Sequence, residues 1–210
     1  MDPRRTLIAD SAIAVVGKRG LRALSHASVD EEAGLPKGST SYYCRKRIDL
    51  LRLTLTRLFA IDREELEAAS AELVARSPLS PATVAEVVAT VVERWLTGER
   101  RLTTRARFEL FLAVAHEPEL REMNHEHMYA VLDVSRRVAE VIEPPAAMEH
   151  VATTLMLADG LMINVIRQDL PSPPRADIAR LMAVAIAAPL PPAPAGTGDD
   201  VPLIRAVWND

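Results

Sequence analysis

The chain has 210 residues, 49% of them apolar by type and 26% charged, with 25 Lys or Arg against 29 Asp or Glu and a formal net charge of -4; that is enough apolar material for one large domain or two modest ones around a buried core. The one cysteine, Cys44, excludes an intrachain disulfide; the opening Met1-Asp2-Pro3-Arg4-Arg5 lacks the apolar core of a secretory signal, and apolar runs such as Leu181 to Ala188 fall well short of the roughly 18 residues that span a membrane, so a cytoplasmic, membrane-free protein is expected. Residues 1–57 hold 11 Lys or Arg against 6 Asp or Glu while the rest hold 14 against 23, the asymmetry expected when a polyanion is gripped at one end only.

Helical periodicity runs through nearly every segment, and the alternation and turn signals of a sheet are missing, so the prediction is an all-α protein of about nine helices. The first runs from about Pro3 to Gly17, with Ile8, Ala12, Val15 and Val16 inward, and stops at a Gly17–Gly20 breaker. Ser25 suits the N-cap of a short second helix with Val29 and Ala33 inward and Asp30, Glu31 and Glu32 favoured early by the helix dipole. Gly34-Leu35-Pro36 is a turn. A short third helix (37–44) and a long fourth one (47–76) follow, then the punctuation Ser77-Pro78-Leu79-Ser80-Pro81. Further helices are expected near 82–97, 100–115, 118–142, 145–169 and 174–187, with Pro118 and Pro145 in first turns. Residues 189–198 read as a Pro-, Ala- and Gly-rich strip, and Val201–Asp210, with Leu203, Ile204 and Trp208, as a segment that docks back.

Two short helices joined by a glycine turn and flanked by amphipathic helices make a helix-turn-helix. At about 100° per residue the third helix sets Gly38, Ser39, Tyr42 and Tyr43 on one side and Thr40, Ser41 and Cys44 on the other. Hydroxyls and an aromatic can meet base edges and phosphates, Gly38 admits a close backbone, and Lys37 can neutralise a phosphate. Arg45, Lys46 and Arg47 lie where the start of the next helix offers unpaired N–H groups to an anion. The same cations would lower the pKa of Cys44 and make it thiol-sensitive; the plainer reading is a small buried filler.

Ser25, Val29-Asp30-Glu31-Glu32-Ala33-Gly34-Leu35-Pro36-Lys37-Gly38-Ser39-Thr40, Tyr42-Tyr43 and Arg47 together resemble the N-terminal domain of TetR-type transcriptional regulators, specifically over residues 5–55. Arg107-Phe108-Glu109-Leu110-Phe111 and Leu157-Ala158-Asp159-Gly160-Leu161 extend the likeness more weakly over 100–170. The resemblance implies a helix-turn-helix DNA-binding domain (1–55), a long fourth helix leading into an effector-binding and dimerisation domain (56–188), and a Pro-rich tail (189–210). It implies a homodimer on a double-stranded DNA operator, most simply a repressor that an unidentified small molecule releases. Ser25, Lys37, Gly38, Ser39, Tyr42, Tyr43 and Arg47 match DNA-contact positions. Pro36 stands in place of a capping Ser, Thr40 of an aliphatic residue, Ser41 of a Tyr and Cys44 of a Phe, which thins the inward face.

In the second half, Trp95, Phe108, Phe111, Leu112, Met128 and Tyr129 lie on helices that surround the effector in relatives, although such spacing also describes ordinary core. The eighth helix is apolar over an arc wider than one core face needs, which suits an isologous interface through Leu157, Gly160, Leu161, Ile163 and Asn164. His125 and His127, two apart on a helix, face opposite ways, and Glu122-x-x-His125 has no second copy, so neither metal nor cofactor is expected. Nucleophile elbows, phosphate loops and His-Glu-x-x-His patterns are missing, so no enzyme is expected. The alternative is a helical ligand carrier or interaction dimer that has lost operator binding.

Overall fold

The computed structural model describes residues 2–114, 116–143 and 148–188. Among them are nine α-helices: α1 (Pro3–Arg19), α2 (His26–Glu32), α3 (Ser39–Tyr43), α4 (Arg47–Val74), α5 (Pro81–Trp95), α6 (Gly98–Val114), α7 (Pro118–Ala139), α8 (Met148–Arg167) and α9 (Arg175–Ala187), with a 3-10 turn at Leu21–Ala23. The described residues contain no strand, only one isolated bridge between Leu79 and Ile142. The tail expected to form a strip and then dock back, residues 189–210, lies outside the described residues.

Helix ends follow local chemistry. The Asp2 carboxylate accepts from the N–H groups of Arg4 and Arg5 at 3.1 and 3.0 Å, and Pro3 opens α1 where no N–H is needed. At the other end Lys18 and Arg19 face the negative pole, and Gly20, at φ 81°, turns the chain while donating to the Val16 carbonyl. Ser25 caps α2 as the sequence indicates: its hydroxyl accepts from Ser28 N–H at 3.1 Å, and Ser28 Oγ accepts from Ser25 N–H at 2.9 Å. Gly17, read above as part of a breaker, lies inside α1. Its lack of a side chain serves packing, because a β-carbon there would stand 2.4 Å from the Leu102 carbonyl oxygen of α6.

The chain forms two compact units. Among the described residues, one takes those up to Glu64 with those of 95–124; the other takes Glu65–Arg94 and those from His125 to Ala188. In the first, Ile8, Val15, Val16, Leu24, Val29, Leu50, Leu55 and Leu58 share one core with Ala106, Leu110, Val114 and Leu120. The Glu109 carboxylate accepts from the Leu21 N–H at 2.5 Å, tying α6 to the turn before α2. Beneath α6 lies a buried ion pair: Arg107 Nε donates to Asp62 Oδ2 at 2.9 Å, and the guanidinium carbon sits 4.0 Å over the Trp95 ring. In the second unit α8 packs on α9, and Leu132, Ala139 and Val151 form a smaller cluster.

Candidate nucleic-acid interface

The loop after α2 is held by a carboxylate that the sequence had tied to its own helix. Asp30, 3% exposed, accepts from Gly38 N–H through Oδ2 and from Thr40 N–H through Oδ1, both at 2.7 Å. It thereby does for α3 what Pro36 cannot, since the N-cap residue Gly38 has no side chain to offer and sits at φ 92°. Burial pushes the Asp30 carboxyl up, but the hydrogen bonds from Thr40 and Gly38, helped by the neighbouring His26, outweigh it and hold the group below its usual range.

On α3, Thr40 and Cys44 are buried and Tyr43 packs on the core, while Tyr42 is 81% exposed and Ser41 is also exposed. This corrects the expected faces. The inward stripe is i, i+3, i+4 (Thr40, Tyr43, Cys44), which puts Ser41 outside and Tyr43 against the protein. Tyr43 braces Tyr42 edge-on, with ring centroids 5.1 Å apart at 80°. Ser39 is half-buried and its hydroxyl donates to the Pro36 carbonyl at 2.6 Å, so its remaining capacity toward a ligand is as an acceptor. Burial pushes the Cys44 thiol up, with Arg5 opposing and Asp49 adding to it, in keeping with the plainer reading of a small buried filler; Arg45 and Lys46 are exposed, and Arg47 turns to backbone carbonyls rather than to the thiol.

Cations flank this surface. Lys37, Arg45 and Lys46 are exposed. Arg47, also exposed, donates to the carbonyls of Leu24 and Leu21, pinning the start of α4 to the 3-10 turn, with donors left over on a guanidinium that has five. The start of α4 already holds an internal anion: Asp49 accepts from Lys46 N–H at 2.9 Å, and that bond chiefly, with Arg52 nearby, lowers its pKa. A phosphate there would meet the side-chain cations more than the free N–H groups expected from sequence.

The residues expected to surround an effector divide between the units. Trp95 is buried under Arg107, Phe111 packs on Phe59 at 6.1 Å, Phe108 is half-buried, and Leu112 is 69% exposed; Met128 is half-buried and Tyr129 is 49% exposed in the other unit. On α8, Leu157, Gly160, Leu161 and Ile163 are half-buried in the single chain and Asn164 is exposed, donating back to the Gly160 carbonyl at 2.8 Å. A β-carbon on Gly160 would meet no atom within 4 Å. Among the described residues no group of three or more His, Cys, Asp or Glu is placed to hold a metal, and no helix is long and apolar enough to cross a membrane.

Sequence reasoning missed three contributors: Asp30 as the cap of α3, His26 as a partner of the Cys44 carbonyl, and the Arg107–Asp62 pair. Each acts across a sequence gap of eight residues or more, so only the signal of acid and base residues on otherwise inward faces was available.

An all-helical frame that presents a short, hydroxyl- and tyrosine-bearing helix between exposed cations defines the helix-turn-helix class of regulators. Residues 79–188 match the profile described as "Tetracyclin repressor-like, C-terminal domain", which covers more than half of the chain. A TetR-family member from Streptomyces coelicolor A3 has the same fold at 24% identity, with a TM-score of 0.68 over 89% of this chain and 100% of that one. A transcriptional regulator from Rhodococcus sp. Rha1 shares the fold at 19% identity, with a TM-score of 0.69 over 87% of this chain and 93% of that one. EbrR, a multidrug binding protein solved with ethidium, is 28% identical, with a TM-score of 0.61 over 89% of this chain and 100% of its own. A search of curated proteins finds no match. The chain belongs to the TetR family of transcriptional regulators.

Proposed function

We propose that this protein is a cytoplasmic, homodimeric repressor that reads a double-stranded DNA operator with α3 and is released by a small-molecule effector. The observation that carries the reading is Tyr42, 81% exposed on a helix whose other face, Thr40 and Cys44, is buried, with Lys37 before it and Arg45 and Lys46 after it. Residues 1–55 supply the reading head, 56–188 the effector and dimer functions, and the Pro-rich tail a separate segment. Two heads are needed because half-sites lie about one turn of DNA apart, and the half-buried Leu157, Leu161 and Ile163 around the open Gly160 suit a second copy of α8.

The likeness to EbrR, which was solved with ethidium and with proflavin, supports an aromatic effector. Release requires that such a molecule bind the DNA-incompetent state better than the competent one. The deciding experiment is a gel shift against a random duplex pool over a salt series: a subset of sequences should be enriched, with affinity falling steeply as salt rises. Indifference to every duplex at low ionic strength, or binding that ignores salt, refutes the reading. A dye that raises the melting temperature of the DNA-free protein identifies an effector candidate.

A further inference from the structure

Two side chains one turn apart on α2 reach both ends of α3. Asp30 takes the N–H groups of Gly38 and Thr40 at its start, each at 2.7 Å. Four residues earlier, His26 Nε2 donates to the carbonyl of Cys44, the residue that ends α3, at 2.6 Å. Positions i and i+4 share a helix face, so one edge of α2 spans the whole of α3. A helix of five residues is far below the roughly 12–15 that hold a helical shape unaided in water. An acid at its positive pole and an imidazole N–H at its carbonyl end oppose the dipole at both ends and satisfy groups that would otherwise lack partners.

We propose that Asp30 and His26 are positioning residues for sequence readout: a two-ended brace that fixes the rotation of α3, and hence the directions of Ser39, Ser41 and Tyr42, without touching DNA. The proposal rests on α3 being the reading helix. Because Lys37, Arg45 and Lys46 are exposed and lie outside the brace, losing it separates discrimination from grip. An α3 free to rock meets base edges poorly, while the cations still find phosphates.

The test uses the full-length chain with Asp30→Ala and His26→Leu, alongside Asp30→Asn, which keeps one acceptor, and His26→Gln, which keeps an N–H donor. Amide hydrogen exchange at Gly38, Thr40, Tyr42 and Cys44 is measured by NMR. Competition binding compares a duplex enriched by the wild type from a random pool with a random-sequence duplex of equal length. Asp30→Ala should exchange about tenfold faster or more at these amides, the effect expected from lost hydrogen bonds to a carboxylate, and His26→Leu at least about twofold faster, the effect of a lost N–H to a carbonyl. The preference for the enriched duplex should fall by a similar factor, with random-duplex affinity and its salt slope held within about twofold. The conservative pair, which also serves if a truncation fails to fold, should recover much of both. Unchanged exchange overturns the brace; faster exchange with intact preference overturns the positioning role; equal loss on both duplexes reduces the residues to general stability. A wild type that enriches no duplex sinks the DNA reading and the positioning role with it, whereas normal enrichment with unaltered exchange sinks the brace alone.

Discussion

Replacing Gly17 by Ala sets a steric cost against a conformational gain. The added carbon would lie 2.4 Å from the Leu102 carbonyl oxygen, 2.9 Å from its carbon and 3.1 Å from its β-carbon. Ordinary contact begins near about 3.5 Å, so α1 and α6 must part by about 1 Å. The obstacle is backbone, and no rotamer change relieves it. Overpacking of this kind costs about 1–3 kcal/mol, while Ala returns at most about 1 kcal/mol of helix propensity. The steric side wins, by about 1–2 kcal/mol, with the backbone obstacle placing the cost in the upper part of its range. Urea unfolding followed by circular dichroism should show a lower midpoint at unchanged slope. Gly160→Ala is the contrasting case: outside its own helix nothing in the chain lies within 4 Å of the new methyl, so the single chain gains up to about 1 kcal/mol, and a net loss in solution would report a second copy packed there. A Gly17→Ala protein as stable as the wild type would refute the close approach of α1 to α6.

Arg107→Met breaks a pair in which the two side chains are 4% and 3% exposed; it should cost about 3–5 kcal/mol, and adding Asp62→Leu should recover much of the loss. In a Trp208→Phe background, Trp95 emission should change with it, because the cation leaves the ring. Asp30 has a lowered pKa in the folded state, so its stabilisation is complete above the unfolded carboxylate value of about 4 and fades as pH falls through the lower folded value. Asp49 and Asp133 are lowered too, so the informative quantity is the difference between wild type and Asp30→Asn, which should shrink across that acid window in chemical unfolding. Lys37→Ala should weaken binding to all duplexes and flatten the salt slope by about one unit, while Tyr42→Ala should change the ranking of sequences in a selection from random pools.

What was legible in the sequence was whatever one helix decides for itself. Pro3, Ser25, Gly34 and the 3.6-residue period of Ile8, Ala12, Val15 and Val16 specify ends and faces through contacts a few residues apart. Less legible was whatever another segment decides. Asp30 looked like a charge for its own helix because the donors that use it arrive eight and ten residues later. Cys44 was legible as a small buried filler, but only the fold shows where its neighbouring cations go: Arg45 and Lys46 to solvent, Arg47 to the carbonyls of Leu24 and Leu21. The faces of α3 were misassigned at Ser41 and Tyr43 because one helix face runs i, i+3, i+4, which gives the interior Thr40, Tyr43 and Cys44 and turns Ser41 outward.

The first core has a practical corollary for anyone wishing to transplant operator specificity. Ala106, Leu110, Val114 and Leu120 close the same apolar interior as Ile8, Val15 and Leu50, and the Glu109 carboxylate anchors the turn at Leu21. Severing the polypeptide after residue 55 would strip that interior of one wall and wet it. A chimera that swaps only the front segment would therefore inherit a mismatched seam, whereas exchanging 1–64 together with 95–124 carries the interior across intact.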